Sequence, residues 1–153
     1  MKTVILVITL LALTSVVVAQ TAPAKKTAQP AAGGPSKVTG EPIKTASGLE
    51  YWDIKVGTGA VAQTGKHVTV DYTGWLTNGK KFDSSVGTGR PYEFMLGAGQ
   101  AIKGWDEGIV GMKVGGMRQL HIPTDLAYGA KGFTTLIPPN ADLIFDVRLV
   151  DAK

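Results

Sequence analysis

Residues 67–85 read HVTVDYTGWLTNGKKFDSS, and this stretch decides the fold. Val68, Val70 and Tyr72 fall at every second position, the period of a half-buried β-strand. Asn78-Gly79 then marks a hairpin between residues 74–76 and 81–84, because glycine takes the positive φ that a tight turn demands. Working outward, the same two-residue period recurs. Trp52, Ile54 and Val56 alternate with Tyr51, Asp53 and Lys55. Arg118, Leu120 and Ile122 oppose Met117, Gln119 and His121, while Leu143, Phe145, Val147 and Leu149 share one face. Gly57-Thr58-Gly59 and Gly115-Gly116 supply further turns.

One segment follows a different period. Ile102, Trp105, Ile109 and Val110 lie at i, i+3, i+7 and i+8, one face of a short helix. Gly104 and Gly108 lower its intrinsic helicity, so packing has to hold it, most simply against the concave face of the sheet. The expectation is an α+β domain: a bent antiparallel sheet of five to six strands, a half-barrel wrapped around one short helix.

Before this domain the composition changes. Lys2 precedes an apolar run from Thr3 to Val18, and Val17 and Ala19 stand at −3 and −1 of a cut before Gln20. That is the layout of a secretory signal peptide over 1–19. A spanning helix needs roughly 20 apolar residues, more than this run offers, so no membrane association is expected after cleavage. Residues 20–45 are rich in Ala, Pro, Lys, Thr and Gly and nearly lack large apolar side chains, so they read as a disordered tether. The folded part is expected over 46–153.

The 153 residues include no Cys and two His. Disulfides, thiolate metal sites and a Cys nucleophile are excluded, and two His do not furnish a His-based metal site; no metal or cofactor is expected. The net charge of +4 comes from scattered Lys, whereas nucleic-acid binding needs a cluster on one face, so no nucleic-acid partner is expected. Gly97-Ala98-Gly99 lacks the third glycine of a dinucleotide fingerprint, and Ser84 and Ser85 lack a nucleophile-elbow context. His67 and His121 read as exposed strand residues. Asp106 and Glu107 diverge by about 100° around a helix and read as an exposed face.

Three blocks carry a family resemblance. The first is Val70 to Leu76 followed by Gly79-Lys80-Lys81-Phe82-Asp83-Ser84-Ser85. The second is Phe94-Met95-Leu96-Gly97 followed by Ile102-Lys103-Gly104-Trp105-Asp106-Glu107-Gly108. The third is Ala127-Tyr128-Gly129-Ala130, Ile137-Pro138-Pro139-Asn140-Ala141 and residues 143–147. Their order and spacing over about residues 46–152 resemble the FKBP-type peptidyl-prolyl cis-trans isomerases. The resemblance implies a shallow aromatic pocket between sheet and helix that takes a proline side chain. It implies walls from Tyr72, Phe82, Tyr92, Ile137 and Phe145, a floor from Trp105, and polar contacts from Asp83, Tyr128 and the Ile102 N–H, beside Ala101. Asp83, Tyr128, Phe82 and Tyr72 are the candidate catalytic residues. Phe133 and Leu136 join the candidate substrate contacts.

Four positions depart from the best-known small members: Thr88 for Arg, Phe133 for His, Tyr92 for Phe and Ala101 for Val. None removes a wall, the floor or the aspartate. Without the resemblance, these aromatics would read as core and Asp83 as a turn residue; the order of the blocks is what assigns them to a site. The expected activity is rotation of X–Pro bonds in exported polypeptides, bacterial rather than in the ER lumen, with proline-containing chains as partners and macrolide inhibitors as candidate ligands. The alternative is a non-catalytic chaperone module that grips proline segments. No dimerisation helix stands out, so a monomer is expected.

Overall fold

The structure, a computed structural model, describes residues 33–153. The expected signal peptide over 1–19, and the part of the tether over 20–32, lie outside the described residues. Seven antiparallel strands form one sheet: β1 (Ile43–Lys44), β2 (Glu50–Lys55), β3 (His67–Leu76), β4 (Lys81–Ser84), β5 (Tyr92–Met95), β6 (Met117–Ile122) and β7 (Leu143–Ala152). The order is β1-β2-β6-β7-β3-β4, with β5 also paired to β3. One helix, α1 (Lys103–Gly108), lies between β5 and β6, and two 3₁₀ turns, Thr124–Leu126 and Gly129–Lys131, lie between β6 and β7. The α+β class, the bent sheet and, among the described residues, the one α-helix are as expected. The strand count rises to seven through short pieces, β1 with two residues and β5 with four.

The two ten-residue strands β3 and β7 form the spine, paired from Val68↔Ala152 to Leu76↔Leu143. On its other edge β3 serves two partners in turn, β5 along its first half and β4 along its second. The switch, with irregularities at Thr69/Val70 and Gly74/Trp75, lets one strand bend through both halves of the sheet. Gly79 closes the β3–β4 hairpin at φ 85°, and Asn78 Oδ1 accepts the Lys80 N–H at 2.9 Å.

Val68, Val70, Leu120, Ile122, Leu143, Phe145, Val147 and Leu149 form the core with Trp105 and Ile109 of the helical segment. The expected helix face holds except at Val110, which is exposed. The two helical glycines explain how so short a helix is held. A Cβ on Gly104 would lie 2.8 Å from Ile122 Cδ1, and one on Gly108 would lie 2.8 Å from Leu120 Cδ2. Glycine lets the helix backbone lie directly on β6, and burial replaces the helicity that glycine gives up.

The alternation in β2 is present, but its apolar set faces outward. Ile54 and Val56 are exposed, while Leu49 just before the strand is fully buried and Tyr51 packs on the core. Arg118 is buried on this inner side. Its Nε donates to Asp53 Oδ1 at 2.7 Å, its Nη1 donates to Gly108 O at 2.8 Å, and its guanidinium lies 4.1 Å over the Tyr51 ring. The cation thus sits at the carboxyl end of α1, where it meets an otherwise free carbonyl.

The described part of the expected tether, 33–45, packs on the domain. Phe145 and Leu120 face the helix, so their neighbours Asp146 and Gln119 face the back of the sheet. There the Ser36 N–H donates to Asp146 Oδ2 at 2.9 Å, and Gln119 Nε2 donates to Ser36 O at 2.8 Å. Trp52 Nε1 donates to Gly40 O at 2.9 Å, and β1 pairs with β2. Composition hid this because the contacts use backbone polar groups rather than apolar side chains. His121 is likewise half-buried rather than exposed, its ring 4.7 Å from that of Trp52.

Candidate functional site

Between the concave face of the sheet, α1 and the loops around residues 97–102 and 125–129 lies an open cleft of about 750 Å³. Its floor is Trp105, which the close seat of Gly104 and Gly108 on β6 holds against the core. Rings surround the indole edge-on: Tyr72 at 5.0 Å, Phe145 at 5.2 Å and Tyr92 at 5.9 Å between centroids. Phe82 on β4 stands at 88° to Phe145, 5.5 Å away. Edge-to-face packing of this kind fixes ring orientation as well as burying area.

Gly74 makes the Phe82–Phe145 wall possible. A Cβ there would lie 2.6 Å from Phe145 Cε1 and 2.6 Å from Phe82 Cζ. The two rings therefore meet over bare backbone where β3, β4 and β7 are adjacent.

The polar groups divide into committed and free. Tyr72 Oη donates to Asp83 Oδ2 at 2.6 Å, and the Ser84 N–H donates to Asp83 Oδ1 at 2.8 Å, so both carboxylate oxygens are engaged. Burial, reinforced by the Asp83 bond, raises the Tyr72 pKa far above that of a free phenol. Tyr128 is also raised, by burial first and then by the Asp83 charge and Tyr92. Tyr92 Oη donates to Gln100 O at 3.3 Å. Among the described residues no acceptor takes the Tyr128 hydroxyl or the Ile102 N–H, and the buried Trp105 Nε1 also has no partner.

Of the expected residues, Tyr72, Phe82, Asp83, Tyr92, Ala101, Ile102, Trp105, Tyr128 and Phe145 line this one cleft. Three lie apart from its lining. Ile137 is buried in the core, and Leu136 is exposed. Phe133 is 53% exposed and reaches the cleft through Tyr128, on which it stacks at 4.8 Å and 21°. Gly99, Gln100, Lys103, Asp125, Ala127 and Gly129 complete the lining and escaped sequence reasoning. Gly99, Gln100 and Asp125 lie where no periodicity would mark them, whereas Lys103 in the second block, and Ala127 and Gly129 beside Tyr128 in the third, carried a signal that went unused.

Comparisons with known proteins agree with this geometry. Residues 59–150 match the family model described as FKBP-type peptidyl-prolyl cis-trans isomerase. The chain is 54% identical over 103 residues to FK506-binding protein of Neisseria meningitidis serogroup B, covering 67% of this chain and 94% of that one. It is 54% identical over 114 residues to FK506-binding protein 4 of Dictyostelium discoideum, covering 74% of this chain but 31% of that one, so it spans about a third of that relative. Among solved structures, AtFKBP13 superposes with a TM-score of 0.69 at 41% identity, covering 74% of this chain and 99% of that one. FkpA from Escherichia coli gives 0.67 at 41% identity over 73% of this chain and 51% of its own. Sequence blocks, sheet order, aromatic cleft and relatives converge, and the chain belongs to the FKBP-type peptidyl-prolyl cis-trans isomerase family.

Proposed function

We propose that this domain accelerates X–Pro rotation in exported polypeptides by seating the proline ring on Trp105, within the walls of Tyr72, Phe82, Tyr92 and Phe145. The observation that carries the reading is the solvent-open hollow of about 750 Å³ above an indole ringed edge-on by aromatic side chains. Export rests on the charge, apolar run and small residues of 1–19.

Amide resonance opposes rotation by ~18–20 kcal/mol, and it does so by separating charge between oxygen and nitrogen. Twisting the bond abolishes that separation, so the transition state is less polar than either planar form. An aromatic cleft from which the seated proline displaces water therefore disfavours the planar amide more than the twisted one. Cis and trans X–Pro differ by only about 0.5–1 kcal/mol, so lowering the barrier is sufficient. Each tenfold acceleration takes about 1.4 kcal/mol of preferential transition-state binding.

The hydrogen bonds support a division of polar roles. Asp83 has both oxygens occupied and serves to fix the Tyr72 ring as a wall. The free Tyr128 hydroxyl and Ile102 N–H are the donors for substrate carbonyls. A protease-coupled assay on Ala-Xaa-Pro-Phe peptides tests the reading: turnover above the uncatalysed rate is expected, and its absence refutes it. The exposed Phe133 and Leu136 favour a second reading, a holder of apolar proline segments. Suppressed aggregation without any turnover would select it.

A further inference from the structure

The loop before α1 carries Ala101 and the Ile102 N–H to the cleft, and it is held from two sides. From the helix, Asp106 turns its carboxylate back onto the loop: Oδ1 accepts the Gly97 N–H at 2.9 Å and Oδ2 accepts the Gly99 N–H at 3.0 Å. From β5, the Met95 N–H donates to Gln100 Oε1 at 2.8 Å, and Tyr92 Oη donates to Gln100 O at 3.3 Å. Below, the Ile102 carbonyl accepts the N–H groups of Trp105 and Asp106 at 2.9 and 3.2 Å. Gly97 and Gly99 both hold positive φ, 80° and 71°, a backbone path that needs external bonds to persist as one conformer.

Asp106 directly follows Trp105. The turn of helix that supplies the floor of the cleft thus also supplies the brace for the loop that carries its free donor. We propose that Asp106 is a positioning residue for the isomerase, fixing the Ile102 N–H relative to the Trp105 indole through its two bonds to Gly97 and Gly99. The proposal rests on the Ile102 N–H receiving a substrate carbonyl, as argued above. Asp106 itself stays off the substrate and is absent from the cleft lining. Its two bonds are charge-assisted, the stronger kind, and each joins groups that no strand or helix bond already fixes.

An anchor that grips planar and twisted substrate alike contributes uniform binding, so loosening it raises KM and leaves kcat nearly unchanged. In steady-state prolyl-peptide kinetics on the full chain, Asp106→Ala is expected to raise KM about tenfold with kcat within about twofold. Asp106→Asn keeps one acceptor oxygen and is expected to recover part of that loss. A merely structural aspartate would act differently: loss of folded protein lowers apparent kcat and leaves KM unmoved. Thermal unfolding of each variant measures that contribution. Should the Asn variant, folded at the assay temperature, show the wild-type KM and the Ala variant lose only kcat, the proposal is overturned while the functional reading stands. Wild-type chain with neither turnover nor peptide binding overturns both.

Discussion

Replacing Gly104 by Ala sets two effects against each other within α1. On intrinsic propensity alone, alanine should stabilise a helix interior by about 1 kcal/mol. The new Cβ, however, would lie 3.0 Å from Ile122 Cγ1, 2.8 Å from Cδ1 and closer still to Cγ2. Carbon atoms at ease sit about 3.5–4.0 Å apart. Ile122 is 1% exposed and branched at Cβ, so it has no vacant rotamer to take. Overpacking of this kind costs about 1–3 kcal/mol, occasionally more. With three atoms of one buried side chain in conflict, the upper part of that range applies. Subtracting the propensity gain leaves a net loss of about 1–2 kcal/mol, or about 5–10 °C in Tm for a domain of this size. The six-residue helix yields more readily than the sheet, so Trp105 moves with it and prolyl-peptide turnover falls as well. Urea denaturation followed by circular dichroism, with kinetics on the same samples, reads both effects. Ile122→Ala removes all three opposing atoms, so the double variant should be at least about 1 kcal/mol more stable than the sum of the single losses. A Gly104→Ala protein as stable as wild type, or strictly additive losses, would refute the steric account.

Two other outcomes follow from the same geometry. Gly74→Ala should displace Phe82 and Phe145, both 2.6 Å from the added carbon, and lower kcat/KM at least about tenfold; unchanged kinetics would show that the two rings are not the wall in use. Burial lowers the His121 pKa below its ordinary 6.5, outweighing the opposing charges of Glu50 on β2 and Asp146 on β7. The unfolded chain therefore binds this proton more readily, so the His121 contribution is complete above about pH 6.5 and is lost as pH falls through the lowered value. Denaturation between pH 8 and 5 should show stability falling toward acid, with a shallower slope in His121→Gln; equal slopes would remove His121 as the cause.

What the sequence made legible was mostly which side chains leave water. The alternation of Leu143, Phe145, Val147 and Leu149 became the buried face of β7, and Asn78-Gly79 became the β3–β4 turn. The helical period around Trp105 became α1 and the floor of the cleft. Side-chain period says nothing of how closely two backbones approach, and there the reading failed. Gly104 and Gly108 looked like defects of a helix, yet they are its seat on β6. Nor does period reveal a polar side chain that receives backbone from far along the chain. Ser36 meets Gln119 and Asp146 across 83 and 110 positions, and a stretch with the composition of a tether became part of the domain. Ile54 and Val56 show the converse, because apolar alternation cannot say which side faces in when a buried Arg118 takes the inner place.

The first of these misreadings, that of the glycines, bears on function. The family blocks assign rings to a cleft, but the cleft's shape depends on contacts made where side chains are missing or small. Gly74 lets Phe82 and Phe145 meet over β3, Gly104 and Gly108 let α1 lie flat on β6, and Gly97 and Gly99 turn the loop so that Asp106 holds it. Each of these glycines forgoes local conformational preference. In return, a six-residue helix brings its indole within 5.9 Å of the Tyr72, Tyr92, Phe94 and Phe145 rings. An isomerase that works by shedding water from one bound amide needs that closeness, because rings loosened enough to leave water beside the seated proline would restore solvation of the planar amide and with it the barrier. Alanine at these positions should therefore weaken activity more than the conservative size of the change suggests. The aromatic residues themselves would remain in place in the sequence.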